Sequence, residues 1–322
     1  MAVNVVNMVL ALLACAAAFT LPFEVFLFSY AVLGPLHYLT QISWMHERNY
    51  FTAAGAKGNL QFLATMALCI TALMFWLPEW SVAMPYVAFV AFGTALLMVL
   101  VEETRTKILG AVALLGLSLV MGRWAGFDLW FAGLLPSVVH VCVFTSCFVL
   151  VGALKSRDWT GGLLLLVYGA CLAACFISGI DTSYSVSAGA LERYTEDFYN
   201  LNIVLSEMFF EQPLASKAEL FFGPHGLAVA RFIAFCYTYH YLNWFSKTSV
   251  IRWHDVPRRR LVLCLVLWLL SLALYAYDYK VGLLSLAFLS VLHVYLEFPL
   301  NHQSFLTIGR ELRALASGKN KP

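Results

Sequence analysis

The chain has 322 residues, 61% of them hydrophobic and only 12% charged, with a mean hydropathy of +0.79. Soluble domains carry about a quarter charged residues, so this composition excludes a water-soluble enzyme and fits a polytopic membrane protein. The formal net charge of +2 is no nucleic-acid footprint, because the basic residues sit in short segments between apolar runs.

A membrane-crossing helix needs about 20 mostly apolar residues. On that rule ten spans are predicted, at 2–20, 22–44, 60–78, 82–101, 107–122, 129–154, 159–180, 222–246, 261–278 and 281–300. The fifth is short and little more than Pro22 separates the first two, so the expected fold is all-α, a helical bundle of nine or ten transmembrane helices. It is read as a single transmembrane domain over 1–322. The first apolar run lacks a basic leader and reads as a span rather than a cleaved signal. The eight cysteines all lie in apolar runs without a CxxC pattern and read as buried small hydrophobes.

In chain order, span two carries GPLHYLT, which places His37 in hydrocarbon. Span six carries SVVHV with His140, span eight CYTYHYLNW with His240, and span ten VLHVYLE with His293. Between spans seven and eight, residues 181–221 form the only long connection and are acidic. Leu191, Tyr194, Phe198, Leu201, Leu205, Met208 and Phe209 recur there at helical spacing opposite Glu192, Glu196, Asp197 and Glu207. That pattern predicts an amphipathic helix on the outer face, either a lid or a plain interfacial connector. Fifteen of the twenty Lys and Arg fall in the segments after spans two, four, six and eight and in the C-terminal tail. By the positive-inside rule both termini are expected in the cytoplasm.

His37, His140, His240 and His293 then lie on four spans running in one direction, roughly 17–27 Å from their outer ends. A lone intramembrane histidine is adequately explained as a hydrogen-bonded packing residue. Four in one layer point to a shared site, since intramembrane ionisable groups are costly and default to function. Neutral imidazole ligates Fe, Zn, Cu or Ni, so ligand type alone does not select the metal. His46, His225, His254 and His302 read as interface or capping residues. Glu297 follows His293 by four residues, Gln41 follows His37 by four and Asn243 follows His240 by three. These are candidates to orient the rings, and Glu297 could also ligate. Glu297 and Tyr239 are the candidate catalytic side chains. Tyr38, Tyr237 and Trp244, with Tyr241, would wall a substrate site or serve as ordinary packing aromatics. Arg231, inside span eight, is expected to pair with Glu24.

These four histidine stretches, in this order, resemble the bacterial membrane-bound β-carotene 15,15′-oxygenase (Brp/Blh) family. The resemblance covers most of the chain, through motifs of a few residues each. It implies a bacterial inner-membrane protein in which Fe(II), held by histidines, and O2 oxidise a lipid-soluble substrate, with cleavage of a polyene as the family reaction. The chain departs from the family pattern in several places. The first element lacks the family's Asp, Trp244 stands where the third element has a second histidine, and the 181–221 connection is extra. His293 would have to supply the missing ligand, and another lipid-soluble substrate stays open. So do two other classes: a transporter or channel with a histidine proton relay, and a haem-binding electron carrier with axial pairs such as His37/His240. Gly34-Pro35 and Pro136 could mark broken transport helices or kinks around a metal pocket.

Overall fold

The computed structural model describes residues 1–53, 56–177, 184–211, 216–247 and 252–317. Regular structure among them is entirely helical, as the composition predicts. The elements are α1 (Ala2–Thr20), α2 (Pro22–His46), α3 (Ala56–Phe75), α4 (Met84–Leu100), α5 (Thr104–Met121), α6 (Leu129–Ser156) and α7 (Trp159–Ala174). They continue with α8 (Ala188–Asp197), α9 (Tyr199–Phe210), α10 (Lys217–Phe222), α11 (Pro224–Ser246), α12 (Arg258–Tyr277) and α13 (Tyr279–Ala316).

Eight helices, α1 to α6 with α12 and α13, are long and apolar enough to cross a membrane. Sequence predicted ten spans, and the other two are α7 and α11. Helix α7 has only 16 residues, and part of the predicted 159–180 span lies outside the described residues. Helix α11 has 23 residues but carries Arg231, Thr238, His240 and Asn243, all buried. A helix wrapped by protein faces no lipid and need not be apolar throughout.

The chain divides into two compact units. The first comprises Met1–His37, Ser156–Arg252 and Trp268–Leu283. Its axis is α11, against which α1, the start of α2, α9 and α10 pack. Pro224 opens α11 at a position where a missing N–H costs nothing. The predicted amphipathic segment is two helices, α8 and α9, broken at Phe198. Of its expected apolar face Tyr194, Phe198 and Leu205 are buried, whereas Leu191, Met208 and Phe209 stay more than a third exposed. Phe23 meets Tyr194 and Phe221 with ring centroids 4.7 Å apart, and Phe26 meets Phe198 at 4.7 Å. Glu24 does not serve Arg231: its two oxygens accept from the Tyr184 hydroxyl at 2.6 Å and the Ser187 N–H at 2.9 Å. The Arg231 guanidinium lies 4.7 Å from the centre of the Phe19 ring.

The second unit comprises Tyr38–Lys155, Trp253–Leu267 and Leu284–Pro322. In it α4 packs against α3, α5 and the first part of α6. His302, read from sequence as an interface or capping residue, bonds the Phe92 carbonyl at 2.8 Å and lies against that ring with the planes tilted by 41°. At the end of α2, Arg260 donates to His46 Nδ1 at 3.1 Å and pairs with Glu47, as suits an interface histidine.

Candidate metal centre

Two of the histidine-bearing helices are locally wound as π-helix, with hydrogen bonds reaching back five residues. In α2 the π-turn spans Ser29–Leu33, and the Gly34 N–H bonds the Ser29 carbonyl. Pro35 follows, and its ring cannot donate to the helix ladder. In α6 the π segment is Leu129–Phe144, with Pro136 inside it and His140 one turn later. The two prolines therefore widen continuous helices and leave no break in either. Such π segments rotate the following side chains and recur at functional sites.

In the first unit, His37 and His240 face each other with their Nε2 atoms 3.1 Å apart and ring planes at 69°. Tyr241 and Trp244 complete the wall around His37, at centroid distances of 5.2 and 5.5 Å. The Tyr241 hydroxyl passes over the backbone at Gly34, 3.2 Å from where a Cβ would stand. Ser29 and Thr238 join α2 to α11 by a hydroxyl pair at 2.8 Å.

In the second unit, His140 and His293 repeat the arrangement, with Nε2 atoms 3.2 Å apart and ring planes at 79°. Tyr38 lies 5.6 Å from the His293 ring. The Glu297 side chain is fully buried. Its Oε2 accepts from the Gln41 side-chain amide, and its Oε1 lies 3.7 Å from His140 Nδ1. Sequence spacing pairs Glu297 with His293, yet the carboxylate turns to the ring on α6. Gln41, expected beside His37, serves Glu297.

Each unit therefore holds one buried pair of histidines with facing Nε2 atoms, and each pair could supply two ligands to a metal ion. The donor set fits one. Imidazole ligands at about 2.1 Å from a shared metal stand roughly 3.0–3.4 Å apart between octahedral and tetrahedral angles. Both Nε2 pairs fall in that interval. All four nitrogens involved are Nε2, which leaves each Nδ1 for an outer partner such as Glu297.

Other predicted site residues are placed differently. Tyr237 packs edge-on against Phe26 at 5.2 Å and lies 6.2 Å from Tyr241, behind the ring that touches His37. Tyr239 projects the other way, between Tyr168 (5.1 Å) and Phe235 (5.8 Å). Successive residues on a helix diverge by about 100°, so the neighbour of a ligand in sequence leaves its face. Sequence reasoning gave Gly34 no role against Tyr241, and only the crossing of α2 and α11 reveals one. No family model matches this chain, and neither a curated protein nor a solved structure matches it.

Proposed function

We propose that the protein is an integral membrane metal-dependent oxidoreductase acting on an apolar substrate drawn from the bilayer. His37, His140, His240 and His293 would hold the metal, with Fe(II) the ion implied by the likeness to the β-carotene oxygenases. The observation that carries this reading is a buried histidine pair in each unit, at metal-ligand spacing, in a chain of apolar helices. Bound iron would supply the one-electron and O2 chemistry that side chains lack.

The protein's own contribution is then legible atom by atom. Glu297, held by Gln41, places its carboxylate 3.7 Å from His140 Nδ1, where its charge favours the tautomer with the proton on Nδ1 and leaves Nε2 as a ligand. Tyr241 and Trp244 box the His37 ring and keep water from it. Tyr38 at His293 and Trp244 at His37 provide apolar surface that a flat or extended substrate can lie on. Tyr239 and Tyr237 act here as supports for α11.

The test is conversion. Purified protein loaded anaerobically with Fe(II) is given candidate polyenes and bacterial lipid extract, then exposed to isotopically labelled O2. Label should appear in a lipid-soluble product with wild type and not with His240→Ala. Absence of any labelled product across both substrate sets contradicts the oxygenase reading. One observation favours a second reading, a proton relay, because both histidine pairs stand at hydrogen-bonding distance. Proton flux into liposomes, abolished by His37→Ala in metal-free protein, would establish the relay instead.

A further inference from the structure

Away from the histidines, the second unit contains a cavity of about 460 Å³ between α3, α4 and α5. Its size lies within the roughly 300–1000 Å³ usual for small-molecule sites. Lys107, in the first turn of α5, is buried and donates to the buried Asn59 side-chain oxygen at 3.1 Å, and both line the cavity. Thr104 and Thr94 line it too, and the Thr94 hydroxyl has no hydrogen-bond partner among the described residues. Beyond these groups the lining is apolar, including Met98 and Ala111. Ile108 and Val112 on the same wall are largely exposed on the outer surface of α5, so the cavity is reached sideways from the bilayer.

Placing an ammonium in this apolar setting is costly, and lysine is seldom buried without a purpose. The polar end lies where α5 begins, at the level where a spanning helix meets the headgroups. Backbone N–H groups of the first helical turn there add to the positive potential. The nearest carboxylate on that turn, Glu103, accepts from the Thr106 hydroxyl at 2.7 Å and is not part of the lining.

We propose that this cavity binds an anionic lipid, its acyl chain along the apolar wall and its anionic head on Lys107, with Asn59 and Thr94 as hydrogen-bonding partners. The head is a phosphodiester or a carboxylate; both present an oxyanion on an apolar chain. Basic pockets between membrane helices near a headgroup layer take such ligands. The site shares no residue with the histidine cluster and does not depend on the metal reading.

Native mass spectrometry of the full chain tests it, with the protein released from nanodiscs of equimolar phosphatidylglycerol and phosphatidylcholine, or of phosphatidylcholine doped with oleate. Wild type should retain one phosphatidylglycerol or one oleate in at least about fivefold preference over phosphatidylcholine. Whichever of the two is retained identifies the head. Lys107→Gln should fall to parity and Lys107→Arg should keep the preference. Ala111→Trp, which keeps the ammonium and fills the apolar arm, should lose the adduct. Equal retention of the charged and zwitterionic lipids by wild type, or an undiminished preference in Lys107→Gln, overturns the proposal. Metal content should match wild type in all three variants.

Discussion

Single side chains decide whether imidazoles in hydrocarbon become ligands. Glu297 is the clearest instance: it is fully buried, its Oε2 accepts from Gln41, and its Oε1 stands 3.7 Å from His140 Nδ1. Glu297→Gln removes the carboxylate charge beside His140 Nδ1 while leaving volume nearly unchanged. Metal retention against a competing chelator should weaken about 10- to 100-fold, the usual cost of losing an outer partner of a ligand. Retention equal to wild type would deny Glu297 that role. Gly34 makes a second case. An alanine methyl there would meet the Tyr241 hydroxyl at 3.2 Å, so Tyr241 or the helix must move. Gly34→Ala should destabilise by about 1–3 kcal/mol, read as thermal unfolding in detergent. Tyr241→Phe in the same chain, lacking that oxygen, should recover most of the loss. Glu297 was legible as a ring-orienting candidate, but its approach to His140 and the Gly34–Tyr241 contact were not: spacing along one helix cannot say which ring on another helix a side chain will reach.

At the scale of elements, periodicity predicted helices well and their interruptions less well. The apolar face of 181–221 was correctly read at Tyr194, Phe198 and Leu205. The break at Phe198 was not, because the residue sits on the apolar stripe and carries no turn signal. Glu24 fastens this segment to α2 through Tyr184 and Ser187. Glu24→Gln weakens both bonds, since charge-assisted hydrogen bonds are about twice as strong as neutral ones. Trypsin should then cut at Arg193 several-fold faster than in wild type, and an unchanged rate would show that the aromatic packing alone holds α8. The far end of α11 offers a pH test. Burial pushes the Lys247 ammonium down to about 8 from its ordinary 10.5. Between those values the unfolded chain binds the proton that the folded chain has released, so stability rises with pH across that window. Below pH 8 the cost of the buried charge is present in full. Lys247→Gln should therefore unfold at higher temperature than wild type at pH 7, with the gap closing as pH approaches 10.5. A constant gap would contradict this assignment.

For the molecule as a whole, hydropathy was enough to identify a helical membrane-type chain. Among the ten predicted spans, α11 is more polar than the rest and is the buried axis of its unit. The four histidines were found because a titratable ring in an apolar run is anomalous whatever its partner. Their pairing, His37 with His240 and His140 with His293, depends on rotational phase about each helix, which π segments in α2 and α6 shift by amounts no periodicity reports. The charge bias of the loops speaks to orientation. The geometry of the two histidine pairs bears on something simpler, whether a metal is held at all. That is measured by elemental mass spectrometry of detergent-purified protein prepared anaerobically with iron, wild type beside His140→Ala and His240→Ala. One metal ion per chain, lost in both variants while they remain folded, is the predicted result. Metal-free wild type, or variants that keep the full complement, would contradict a histidine metal centre.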